Sequence, residues 1–89
     1  MRKNNEPRDL MTLGLRIRWI IQEEQIKQVE FAKALGISAN YVYLLTSGRK
    51  TAISEPLARL IESTYGYSAD WVLTGRSPEE NGMPLSDLQ

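Results

Sequence analysis

The side chains best fitted to recognition chemistry in this 89-residue chain lie between Gln28 and Thr51. Asn40 carries one hydrogen-bond donor and one acceptor on a single amide, the pair that the exposed edge of an adenine takes. Tyr43 adds a hydroxyl that can reach a phosphate or a base. Ala39 and Leu44 offer only apolar contact, such as a thymine methyl would accept. Arg49 and Lys50 stand together as fixed positive charge, and the Thr51 hydroxyl beside them can assist in holding phosphate oxygens. Other chemistry is poorly supplied. There is no histidine and no cysteine, which removes the commonest general base, the commonest metal ligand and any disulfide. Glu23-Glu24 and Glu79-Glu80 are adjacent pairs, and neighbours on a helix point about 100° apart rather than sharing a site. No glycine-rich loop cradles a phosphate. An enzyme is not expected, nor a cofactor, a metal or a small-molecule ligand.

These residues need a rigid carrier, and the spacing supplies one. Gln28, Phe31, Ala32 and Leu35 predict a helix over about 28–35 with its apolar side chains on one face. Gly36 suits a left-handed helix stop and Ser38 suits the N-cap of a new helix. That second helix spans about 39–47, turns Val42 and Leu45 inward, and stops at Gly48. Two short helices joined by a tight glycine turn make a helix-turn-helix, over 28–47 here, the unit that lays its second helix in a DNA major groove.

The remaining segments supply a core around that unit. Thr12 is a good N-cap for a first helix running to Glu24, with Leu13, Ile17, Ile20 and Ile21 inward. Gln25-Ile26-Lys27 forms a link whose isoleucine plugs the core. Ser54 caps a fourth helix with Glu55 and Pro56 in its first turn and Leu57, Leu60, Ile61 and Tyr65 as its inner face. Ser68 caps a short fifth helix that Gly75 ends, with Trp71 expected in the core. Residues 1–10 read as a flexible arm, 11–76 as the domain, and 77–89 as a tail broken by Pro78, Gly82 and Pro84. The expected fold is all-α, a compact domain of five helices. No apolar run reaches the ~20 residues of a membrane span, and the N-terminus has no secretory pattern, so no membrane partner is expected and the cytoplasm is the default.

Residues 12–76 resemble the phage-repressor (Xre/Cro-like) helix-turn-helix family of transcriptional regulators. The matching residues are Leu13-Gly14, Arg16-Ile17, Gln28, Ala32, Leu35-Gly36-Ile37-Ser38, Gly48-Arg49-Lys50, Ala52-Ile53-Ser54 and the run from Tyr65 to Gly75. The resemblance implies a lambda-repressor-like DNA-binding domain, with double-stranded DNA as partner, expected as a palindromic operator. It also implies that Ala39, Asn40, Tyr43 and Leu44 touch bases while Gln28, Ser38, Arg49, Lys50 and Thr51 hold the DNA backbone. Lys27 departs from the usual Ser or Thr cap, so the second helix is expected to start less crisply. Thr46 replaces an acidic residue common two positions before Gly48.

Charge complicates this reading. Eleven basic and eleven acidic residues give a formal net charge of zero, and non-specific DNA affinity comes mainly from Lys and Arg on phosphates. DNA binding then requires charge segregation. The alternative is a protein-binding adaptor, an antirepressor or an antitoxin, that keeps the fold without strong DNA binding. A homodimer is expected, because one helix-turn-helix reads few base pairs. Its surface is expected first at helix five and the tail, with Trp71, Leu85 and Leu88 as candidates beside Met83. The second candidate is a stripe on helix one, Met11, Leu15 and Trp19.

Overall fold

The computed structural model describes residues 6–76; Met83, Leu85 and Leu88, the expected interface positions of the tail, lie outside the described residues. Within them the chain is all-helical: α1 (Leu13–Glu24), α2 (Gln28–Leu35), α3 (Ala39–Thr46), α4 (Glu55–Tyr65) and α5 (Ala69–Thr74). Hydroxyl side chains start four of the five. Thr12 accepts from the Leu15 N–H at 3.2 Å, Ser38 from Tyr41 at 2.9 Å, Ser54 from Leu57 at 3.3 Å and Ser68 from Trp71 at 3.3 Å. Each satisfies a backbone donor that the helix itself leaves unpaired.

Helix α2 begins at Lys27, whose ammonium has no acceptor to give. The Glu30 carboxylate accepts the Lys27 backbone N–H at 2.7 Å instead, which is half of a capping box. The start is therefore firm, contrary to expectation, because the cap comes from the third helical residue. Helix α3 ends one residue before the expected 47, with Ser47 as its C-cap. The turn between α2 and α3 hinges on Gly36 at φ +70°, where a Cβ would be strained.

The core gathers one face of every helix. Ile17, Ile20, Phe31, Val42, Ile61 and Trp71 have no exposed surface. Helix α1 packs on α3 and α5, α2 on α3 and α4, and α4 on α5. At the α1–α3 crossing Gly14 is essential to the distance: a Cβ there would lie 2.5 Å from the Leu45 carbonyl oxygen. On α4 the buried face is centred on Ala58 and Ile61, with Leu57 and Tyr65 half-buried. Leu60, expected inside, is 40% exposed; it lies about 100° round the helix from Ile61, on the side away from Ala58.

Two aromatic contacts alter the reading of α1. Trp19 meets Tyr67 and Trp71 edge-on, with centroids 5.5 and 5.6 Å away. Its ring is thus half-buried against its own chain, which leaves it less to offer a second copy. Trp71 is fully buried and offers no surface to a second copy, so its candidacy as an interface residue falls. Leu15 remains 43% exposed and Met11 81%.

Residues 6–10, expected as part of a loose arm, are tied down. Glu6 accepts the Ser68 backbone N–H, the Pro7 carbonyl accepts from the Trp71 indole at 2.7 Å, and the Leu10 carbonyl accepts from Arg16 at 2.8 Å. Arg16 itself is buried on α1. Its Nε donates to the Val72 carbonyl at 2.9 Å, near the C-terminal end of α5 where a cation is favoured. Burial lowers the Arg16 pKa by withdrawing water from the guanidinium. Among the described residues, no helix is long and apolar enough to cross a membrane.

Candidate nucleic-acid interface

Helix α3 presents an uneven surface because its inner face is narrow. Val42 and Leu45 are buried, three residues apart. That leaves Ala39, Asn40 and Tyr43 exposed, Tyr43 by 49%, while Leu44 is half-buried. The exposed stripe therefore carries three of the four residues expected to touch bases, and Leu44 sits at its edge. Ser38 opens the helix. Its oxygen is engaged as the cap of α3, and its hydroxyl proton is left to donate.

The flanking groups divide. Arg49 and Thr51 are exposed in the loop after α3. Lys50 is half-buried, with its ammonium 5.4 Å from the centroid of the Tyr41 ring. That cation–π contact holds Lys50 against the N-terminal half of α3. Gln28, at the first position of α2, is exposed and donates from Nε2 to the Thr46 hydroxyl at 3.3 Å. Thr46 in turn donates to the Tyr43 carbonyl at 3.3 Å. The helix-turn-helix thus brings Gln28 onto the last turn of α3.

Three further residues take part in this surface without a signal strong enough to assign them from sequence. Tyr41 holds Lys50 across nine positions of sequence, a pairing no periodicity marks. Thr46, in sequence only a departure from the family pattern, is the partner of Gln28. Val29, next to Gln28, is 57% exposed; its position off the Phe31–Ala32–Leu35 face is the available signal.

The acids are unevenly distributed along the chain. From Phe31 to Ser54 the chain has no acidic residue, and its charged groups are Lys33, Arg49 and Lys50. Glu55, the first acid after this stretch, is paired with Arg59 at 2.8 Å. The acids gather instead at the other end of α4. Tyr67 donates its hydroxyl to Glu24, and its pKa is pushed up by burial, by that bond, and by Glu24, Glu23 and Glu6. Tyr65 is raised by burial and then by Glu24 and Glu30. Glu62 accepts the Ala69 backbone N–H at 3.0 Å. The N-terminal end of α4 borders Ile37, Ser38 and Tyr41, and the 11-residue helix spans roughly 16 Å at 1.5 Å per residue. A net charge of zero therefore hides an acid-free segment around α3.

A firmly packed pair of short helices with a tight glycine turn, its second helix exposed along one stripe, defines a helix-turn-helix domain. The Helix-turn-helix family model matches residues 17–72, so the chain belongs to the phage-repressor, Xre-like helix-turn-helix family of DNA-binding transcription regulators. It is similar to a protein named "Repressor protein CI" from Enterobacteria phage phi80, with 31% identity over 80 residues. The match covers 90% of this chain and 31% of that protein, so the chain spans about a third of its relative's length. No solved structure matches.

Proposed function

We propose that this chain binds double-stranded DNA sequence-specifically, with α3 in the major groove, and acts as a transcriptional repressor of the phage type. The observation that carries the reading is the exposed stripe Ala39, Asn40 and Tyr43, flanked by Gln28 on one side and Arg49 and Lys50 on the other, with no acidic residue from Phe31 to Ser54. Asn40 and the apolar groups of Ala39 and Leu44 read base edges; Tyr43 reaches a base or a phosphate. Gln28, Ser38, Arg49, Lys50 and Thr51 hold phosphates. The similarity to the phage phi80 repressor supports the repressing outcome. The operator is palindromic and the protein a homodimer acting in the cytoplasm, where its DNA is.

Electrophoretic mobility shift tests this reading. The chain shifts random duplex at low salt, selection from random duplexes returns a two-fold symmetric site, and Arg49→Ala with Lys50→Ala abolishes the random-duplex shift. The rival reading, a protein-binding adaptor, is favoured by the absence of any charged residue on α3. A wild-type chain that leaves every duplex unshifted at low salt decides for the adaptor.

A further inference from the structure

We propose that Thr46 is a positioning residue for DNA binding: its hydroxyl fixes which way the Gln28 carboxamide faces, so that a Gln28 N–H is presented to a phosphate. This rests on the DNA-binding reading above and adds to it how one anchor is set. A threonine hydroxyl has a single proton. Thr46 gives it to the Tyr43 carbonyl at 3.3 Å, a group that can only accept. Toward Gln28 the same hydroxyl oxygen can then only accept as well, and Gln28 must turn its nitrogen to it, at 3.3 Å. One N–H of the carboxamide is consumed, and the second N–H and the Oε1 carbonyl remain for a ligand. The flipped amide would set Oε1 against the Thr46 oxygen, lone pair to lone pair, unless Thr46 gave up Tyr43. The choice of face is therefore dictated by the backbone of the recognition helix.

The arrangement also ties two helices at the surface. Gln28 is exposed on the first turn of α2 and Thr46 lies on the last turn of α3. An exposed glutamine otherwise samples many rotamers, and holding it before binding lowers the ordering cost at the interface. A phosphate oxygen accepts from the free N–H whatever the base, so the benefit extends to every duplex.

The test compares Thr46→Val, which keeps the branched shape and removes the hydroxyl, with Thr46→Ser, which keeps the hydroxyl. Each is made in the wild-type chain and with Gln28→Ala. Thr46→Val is expected to weaken binding about three- to tenfold on specific and random duplex alike, the scale of one hydrogen bond. Thr46→Ser is expected to bind like wild type, and Thr46→Val to cost nothing further once Gln28 is alanine. The side-chain amide of Gln28, followed by nitrogen–proton NMR in the free protein, should move toward free glutamine in Thr46→Val and stay put in Thr46→Ser. Losses that multiply in the double variant, a Thr46→Ser that behaves like Thr46→Val, or an unmoved Gln28 amide would each overturn the role. A wild-type chain that binds no duplex would overturn the DNA reading itself, and the NMR comparison separates the two failures.

Discussion

At the residue scale, the proposed interface separates base-reading side chains, Asn40 foremost, from those proposed to hold phosphates. Asn40 is exposed near the start of α3, where base edges are reached first. Asn40→Ala is expected to weaken the selected site by about 1–3 kcal/mol and leave random DNA nearly unchanged. Equal loss on both duplexes, read by competition binding, would remove Asn40 from base readout. Gly14 shows the opposite kind of constraint, from packing alone. A Cβ at that position would lie 2.5 Å from the Leu45 carbonyl oxygen, a backbone atom that cannot rotate aside. Gly14→Ala must therefore push α1 from α3, at about 1–3 kcal/mol by the usual scale of overpacking. Urea unfolding measures it, and an unchanged midpoint would mean the crossing is looser than it looks.

At the element scale, most of the fold is legible in the sequence because it is written in local chemistry. Thr12, Ser38, Ser54 and Ser68 announce helix starts, and all four accept the N–H that their position requires. The inward pattern of Leu13, Ile17 and Ile20 is also local, set by 3.6 residues per turn. What cannot be read there depends on contacts between distant segments. Nothing in the periodicity of α1 tells that Arg16 is buried under the carbonyl of Val72, or that Trp19 lies against Tyr67 and Trp71. The same holds at the candidate site, where Gln28 stands out in the sequence but its partner Thr46, eighteen residues away, does not. The junction around Tyr67 carries a pH prediction. Burial, the bond to Glu24 and the surrounding carboxylates raise the phenol above its ordinary value, about 10 in unstructured chains. A raised folded-state pKa means the native protein keeps a proton that the unfolded chain loses. Stability is then intact below about pH 10 and falls as pH rises beyond it. Tyr67→Phe should flatten that alkaline decline in thermal melts. A variant that declines as steeply as wild type would place the sensitive group elsewhere.

At the scale of the whole molecule, net charge is the wrong quantity and its distribution the right one. An acid-free segment from Phe31 to Ser54 stands apart from the carboxylates collected at the α4–α5 junction. On the selected site, removing Arg49 and Lys50 together should lower the slope of log affinity against log salt by about two, near 0.9 for each phosphate no longer neutralised. An unchanged slope would mean that neither touches DNA. The proposed dimer answers the same economy of charge: one unit with so few cations beside α3 would bind weakly, and a two-fold dimer would double the grip across half-sites about one helical turn apart. Helix five offers little to such a dimer among the described residues, since Trp71 and Val72 are fully buried. Met11 and Leu15 are four apart, and both are exposed around the start of α1. That stripe now ranks above helix five, with Leu85 and Leu88 of the tail as the competing surface. Sedimentation at micromolar concentration is expected to show a dimer that Met11→Lys with Leu15→Lys dissociates. Both side chains face solvent, so the double variant should keep its helical content. Its affinity for an isolated half-site should stay near that of wild type while the full palindrome loses its advantage. A double variant that stays dimeric, with Leu85→Lys and Leu88→Lys splitting it instead, would assign the interface to the tail.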